Sequence, residues 1–216
     1  MRNVRVWLLT PCVALVGACV FDSIQGSGKI VTEPRTVAGF SRVSLSGSGH
    51  LIVDQSGTES LVITTDDNLM PYIRAEVRGN TLELGSRPMT SLRPTDDIIF
   101  RLTVKQLDGL EVSGSGQVDA KGVNVDGMRI RISGSGDVAA QGSANDLDLS
   151  ISGSGAYRGD EMKTKRATAG LSGSGRAVVA VDETLNASVS GSGSIEYIGN
   201  PQVSEHTSGS GSVSRR

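Results

Sequence analysis

Serine recurs beside glycine in the tetrapeptide Ser-Gly-Ser-Gly, which begins at Ser46, Ser113, Ser133, Ser152, Ser172, Ser190 and Ser208. Such a serine can act as a nucleophile on a tight turn, or its loop can cradle a phosphate. Gly170-Leu171-Ser172-Gly173-Ser174 departs from the nucleophile elbow at its last residue, and equivalent serines in every copy cannot all be nucleophiles. Ile52 and Glu196 stand where a dinucleotide fingerprint needs its third glycine. Gly26-Ser27-Gly28-Lys29 ends like a phosphate loop, but Ile30 replaces the magnesium-binding hydroxyl, so a spacer is the better account. Asp66, Asp67, Asp96 and Asp97 form two Thr-Asp-Asp turns that read as solvated residues before they read as a calcium site. His50 and His206 lie far apart and read as surface residues. Asp137 and Arg176 share a repeat position two coils apart, a thin basis for polysaccharide cleavage. The expectation is a non-enzyme with no cofactor and no bound metal.

Charge and composition narrow the partners. The chain has 216 residues, with 21 basic against 23 acidic, which excludes a strongly basic nucleic-acid binder. Aromatics make up 3%, too few for base-stacking platforms. At 37% apolar the chain can bury a core, but that core must be built from small aliphatic side chains.

The N-terminus reads as an export signal. Arg2 and Arg5 precede an apolar run, Val6–Val16, that is too short for a membrane span and ends in Gly17-Ala18-Cys19. Val16-Gly17-Ala18-Cys19 resembles a bacterial lipobox. That resemblance implies removal of residues 1–18, lipid on Cys19 and a membrane attachment through that lipid. The alternative is ordinary cleavage near Ala18 with Cys19 left free. In the lipoprotein reading Cys12 leaves with the signal and the mature chain has no disulfide. Loss of Arg2 and Arg5 leaves 19 basic against 23 acidic residues, a net charge of -4 with no polybasic patch. Val20 after the cysteine resembles lipoproteins sent to the outer membrane. Residues 19–36 are expected to be the lipidated cysteine and its tether.

The elements that carry the serines follow from their spacing. Successive copies are 67, 20, 19, 20, 18 and 18 residues apart, and a period near 19 is the mark of a solenoid. One, three and five residues before the fourth copy stand Ile151, Leu149 and Leu147, and the third, fifth and sixth copies repeat the apolar phase. Five residues after each first serine stand Leu51, Val118, Val138, Tyr157, Ala177, Ile195 and Val213. This alternation marks strands with one buried face. The period has no room for a crossover helix, so the fold class is all-β: a parallel, right-handed β-helix with coils of about 19 residues over 37–216, less regular in its N-terminal portion. Gly153, Gly155 and their equivalents are expected to point inward, and polar groups such as Gln141-Gly142-Ser143 to form turns. The 51–112 section reads either as imperfect coils or as a cap of antiparallel strands. Residues 200–216, with Val203, Glu205 and Thr207 at inward positions, read as a polar C-terminal cap.

Val37-Ala38-Gly39-Phe40 and Val43-Ser44-Leu45-Ser46-Gly47, the stretch 64–84, and Leu107-Asp108-Gly109-Leu110-Glu111-Val112 together resemble the bacterial family named auto-transporter adhesin, head GIN domain. The resemblance covers about residues 37–213. It implies an exported β-helical domain, often on a lipoprotein, with no catalytic residues to carry over. The expected role is a lipid-anchored binding or adhesion module of the cell envelope, with an outer-membrane location and a glycan or surface-protein ligand. A periplasmic scaffold is the first alternative. The candidate binding face is the pair of serine columns Ser133, Ser135, Ser152, Ser154, Ser172, Ser174, Ser190 and Ser192. Such Ser-x-Ser arrays resemble the Thr-x-Thr arrays of ice-binding β-helices, but serine lacks the methyl groups that make those faces partly apolar. Close coil packing with bonding between hydroxyls on successive rungs is the purely structural account.

Overall fold

A computed structural model describes residues 23–216. Residues 1–18, read above as an export signal, and Cys19 lie outside the described residues. The strands are β1 (Ser23–Gln25), β2 (Ile30–Arg35), β3 (Arg42–Gly47), β4 (His50–Gln55), β5 (Ser60–Asp66), β6 (Ile73–Arg78), β7 (Thr81–Ser86), β8 (Ser91–Arg93) and β9 (Ile99–Val104). After them come β10 (Gly109–Gly114), β11 (Gln117–Gly134), β12 (Asp137–Gly153), β13 (Ala156–Gly173), β14 (Arg176–Gly191), β15 (Ser194–Ile198), β16 (Gln202–Gly209) and β17 (Ser212–Arg215). A 3-10 turn, Met70–Tyr72, precedes β6.

From β10 onward each coil pairs in parallel with the next, so the chain is a β-solenoid as its period predicts. Val112, Ile132, Ile151, Leu171 and Val189 stack inward and are buried. So do Val118, Val138, Tyr157, Ala177 and Ile195. Each fully buried Ile, Leu or Val stabilises the stack by about 1.5–3 kcal/mol. Gln141-Gly142-Ser143 is not a separate turn. The strand β12 runs through it, and the coil bends at a register irregularity between Ala139 and Gln141.

The tetrapeptide makes the corner of the coil. In all seven copies the first glycine has positive φ, from Gly47 at 86° to Gly114 and Gly173 at 120°. The expectation that both glycines point inward holds only for the second. Gly155 is buried, and a methyl group there would sit 2.6 Å from Ile132 Cγ2 of the coil below. Gly153 is partly exposed, and a methyl group there would strike Gly134 O, the backbone of the neighbouring rung. One glycine column therefore makes room for the core and the other for the ladder.

The section before Gly109 combines both expected forms. Strand β3 pairs in parallel with β10 on one side and β7 on the other, and β4 lies in parallel between β11 and β9. These strands supply further rungs of the solenoid. Antiparallel β6 then closes β7, while β5 covers β9 and β2 covers β5. Free parallel edges invite pairing with other molecules, and antiparallel strands cover them here.

Residues 23–35 are not a tether. Strand β1 pairs with β8 and β2 with β5, so any free segment after Cys19 ends before Ser23. At the other end, Val203, Glu205 and Thr207 continue the inward columns of Leu185, Ala187 and Val189, but every residue of β16 is exposed. Glu205 and Thr207 are polar where the preceding coils have apolar residues.

Candidate functional site

The ladder places the serines in strict columns. Ser46, Ser113, Ser133, Ser152, Ser172, Ser190 and Ser208 occupy one register position on seven successive rungs. Six steps of parallel pairing make this column about 29 Å long. The rung of Ser46 joins the column although 67 residues separate it from Ser113, because β4 to β9 are inserted between them. Ser133, Ser135, Ser152, Ser154, Ser172, Ser174, Ser190 and Ser192 are all exposed.

Backbone bonds hold the columns. The N–H of Ser135 donates to Gly114 O at 2.9 Å, Ser154 to Gly134 O at 2.8 Å, Ser174 to Gly153 O at 2.9 Å and Ser192 to Gly173 O at 2.9 Å. The hydroxyls are not used in this way. Within the first-serine column the side-chain bonds among the described residues belong to Ser46, whose Oγ donates to Leu84 O at 3.1 Å and accepts from Arg74 Nη2 at 3.3 Å. The expected bonding between hydroxyls on successive rungs is absent among the described residues.

The face beside the serines changes character along the rod. The column Arg42, Gly109, Arg129, Asp148, Thr168, Asn186, Ser204 begins charged and ends in hydroxyls and an amide. Glu111, Arg131, Ser150, Gly170, Ser188 and His206 follow the same course. From β12 on, this side presents small, mostly uncharged hydrogen-bonding groups.

A groove of about 510 Å³ runs across several rungs and contains Arg42, Asp108, Arg129, Asp146, Asp148 and Arg166. Every carboxylate in it has an arginine: Arg42–Asp108 at 3.7 Å, Arg129–Asp148 at 3.0 Å and Arg166–Asp146 at 2.7 Å. Arg166 hydrogen-bonds Asp146 through both Nε and Nη2, which holds the Asp146 carboxyl below its ordinary pKa and raises that of Arg166. Sequence reading missed this cluster, yet its signal was the coil period: Arg129 and Asp148 are 19 residues apart, Asp146 and Arg166 are 20. Asp137 and Arg176 do share a column, with Ala156 between them, but do not meet; Asp137 lies 3.9 Å from Arg158 Nη1.

Residues read as solvated or as spacer prove to be fasteners. Asp66 is fully buried and its carboxylate accepts from Gly28 N–H at 2.7 Å, Thr95 N–H at 2.9 Å and Thr95 Oγ1 at 2.6 Å. The Thr95 hydroxyl, then the backbone donors, hold this carboxyl below its ordinary pKa. Asp67 accepts from Ser27 Oγ at 2.6 Å and pairs with Lys29 at 3.2 Å. Asn68 donates to Gln25 O at 2.8 Å. The Gly26–Lys29 loop is thus tied to the Asp66–Asn68 turn, while Asp96 and Asp97 stay exposed. His50 is half-buried, its Nε2 2.6 Å from Asp119 Oδ2. His206 is exposed. Among the described residues no cluster of three or more His, Cys, Asp or Glu is placed to hold a metal.

The model of the family "Putative auto-transporter adhesin, head GIN domain" matches residues 39–201. The chain belongs to this family. Similar solved structures include a putative adhesin from Bacteroides fragilis, 25% identical with a TM-score of 0.73, covering 89% of this chain and 100% of that one. A putative adhesin from Parabacteroides merdae is 21% identical, with a TM-score of 0.64 over 90% of this chain and 99% of its own. A putative lipid binding protein from Parabacteroides distasonis is 23% identical, with a TM-score of 0.60 over 90% of this chain and 100% of its own. No curated protein matches the sequence. The likeness to these structures extends over the cap as well as the repeats. The cap and the repeats therefore share one fold with these structures, of which the serine ladder is one corner.

Proposed function

We propose that this head GIN protein is a lipid-anchored, non-catalytic binding module of the cell envelope, engaged in adhesion through its serine corner. The observation that carries this reading is the double column of exposed serines whose hydroxyls are left free by the fold. Hydroxyls bind hydroxyl-rich or amide-rich ligands without the large desolvation cost of a buried charge. Rigid display at a fixed repeat avoids most of the ordering cost of association. A glycan or a surface protein presenting its own regular array fits such a face. The carboxylates of the groove favour binding over acid–base chemistry, because each is already paired with an arginine. The adhesin descriptions of the family and of its relatives agree with this use.

Location is tested by protease digestion of intact cells expressing the native protein or Cys19→Ala. Digestion of the native protein without lysis supports adhesion. Protection until the outer membrane is broken replaces adhesion with a periplasmic scaffold. The face is tested by replacing Ser133, Ser152, Ser172 and Ser190 with alanine. Attachment is expected to fall while circular dichroism and melting stay unchanged, since exposed substitutions shift stability by about 0.5 kcal/mol or less each. Unchanged attachment with lowered stability assigns the column to packing instead.

A further inference from the structure

Strand β1 sets Ser23 opposite Ser91 of β8, two residues past Met89. Met89 is 87% exposed, and among the described residues it is the one non-glycine with positive φ, 61°. A left-handed backbone suits glycine, and a long apolar side chain held there in the open adds nothing to the core. Pro88 beside it is exposed. The Arg87 N–H donates to Tyr72 O at 2.9 Å, which brings in Tyr72, itself 38% exposed. Arg87 and Arg93 flank this tip in solvent, with the exposed Asp96 and Asp97 further along the chain.

We infer that this end of the cap rests on the lipid bilayer, with Met89 and Tyr72 seated among the headgroups and Arg87 and Arg93 facing lipid phosphates. The inference depends on the reading of Cys19 as lipid-modified. Cys19 lies four residues before Ser23 in the sequence, and four residues reach at most about 14 Å. An anchor there holds the Ser23–Ser91 edge, and Met89 with it, close to the membrane. A flexible thioether chain and an amphipathic phenol suit the interface, and a second contact strengthens a lipid anchor. The contact also orients the molecule. Ser46, the first serine rung, shares a shallow hollow with Arg87 and Met89. The later rungs, with their hydroxyl face, then lead away from the membrane.

From Cys19 onward the chain has one cysteine and no tryptophan, since Cys12 and Trp7 precede it. This permits a clean test. The chain from Cys19 is coupled through that thiol to maleimide lipid in phosphatidylethanolamine–phosphatidylglycerol vesicles containing brominated phospholipid. Tyr72→Trp is expected to shift its emission to the blue and be quenched about twofold, as an interfacial residue would be. Ser212→Trp, at the far end, should stay unquenched, and adding Met89→Asp should release the quenching of Tyr72→Trp with the circular dichroism unchanged. Tyr72→Trp emission equal to that of Ser212→Trp, or quenching indifferent to Met89→Asp, overturns the contact. Mass spectrometry of the native N-terminal peptide separates the two ideas. An unmodified Cys19 overturns both, whereas an acylated Cys19 with unquenched Tyr72→Trp overturns the contact alone.

Discussion

The cap and the rod of this protein hold themselves together by different means. In the rod, residues 109–198, neighbouring coils are joined by backbone ladders and columns of small buried side chains, and most side-chain bonds lie in the open. In the cap, residues 23–107, strands of mixed direction are fastened by specific side chains: Asp66 to Thr95 and Gly28, Asp67 to Ser27 and Lys29, Glu59 to Lys105 and Gly39. Repetition here replaces specificity. Where every rung presents the same backbone to the next, no side chain is needed to set the register. Where the chain stops repeating, individual residues must.

A glycine in each region should respond differently to the same substitution. Gly153 and Gly57 both have positive φ, 118° and 84°. A methyl group at Gly153 strikes Gly134 O, whereas nothing lies within 4 Å of one at Gly57. Gly153→Ala therefore adds a clash between rungs to the backbone strain, and should destabilise by about 3 kcal/mol or more. Gly57→Ala should cost only about 1 kcal/mol. Denaturant midpoints of the two variants check this, and equal losses would mean that the ladder tolerates rung separation.

Acid should separate the regions in the opposite sense. Asp66, Asp67 and Glu59 all have lowered pKa values, through the hydroxyl of Thr95, the hydroxyl of Ser27 and the ammonium of Lys105 respectively. A carboxyl depressed in the folded state contributes stability that is present above its unfolded pKa, near about 4, and lost as pH falls through the folded value. Below about pH 4 the cap should loosen first. The amide signals of Gly28 and Thr95 should weaken before those of Ile151 and Leu171 in an NMR titration. Asp66→Ala should reproduce this at neutral pH, with exchange at Gly28 and Thr95 about tenfold faster and the rod unaffected, because both N–H donors lose their buried acceptor. Simultaneous loss of rod and cap signals would show one cooperative unit.

Tyr157 is a local exception within the rod. It occupies the column of Val138 and Ala177, is 1% exposed, and its hydroxyl has no partner. Gly159 leaves the space for its ring, since a methyl group there would lie 2.6 Å from the phenol oxygen. Burial pushes the phenol pKa up. Tyr157→Phe keeps the ring and removes the unpaired group, so stability should rise by about 1 kcal/mol. A loss instead would mean that the hydroxyl finds a partner in solution.

Periodicity is legible in a sequence because each coil repeats the same physical demand, which is why the inward positions of Ile132, Ile151 and Leu171 follow from the repeat count alone. The serine columns follow from the same count. Which strands pair in the cap was not legible, since antiparallel pairing such as β5 on β9 depends on contacts that leave no period. Asp66 looked like any solvated turn residue because its three donors come from segments 29 and 38 residues away. Gly26–Lys29 resembled a spacer for the same reason. The inward or sideways direction of each glycine in the tetrapeptide was also hidden, because the alternation of the strands stops at the corner where φ turns positive.

The smallest expected effect concerns the ion pairs of the groove, the rod's nearest counterpart to the fasteners of the cap. Arg166 and Asp146 have good two-point geometry at 2.7 Å, but their side chains are 49% and 57% exposed. Water and salt screen such a pair, and ordering two long side chains offsets part of what remains. A double-mutant cycle of Arg166→Gln and Asp146→Asn should therefore give a coupling of about 0.5–1 kcal/mol that shrinks with added salt. If the coupling is larger and resists salt, the rod uses side-chain fasteners as the cap does. If it is small, the arginines matter for the surface they present. Each offsets the charge of a carboxylate beside the hydroxyl face, and their substitution should then alter attachment more than melting.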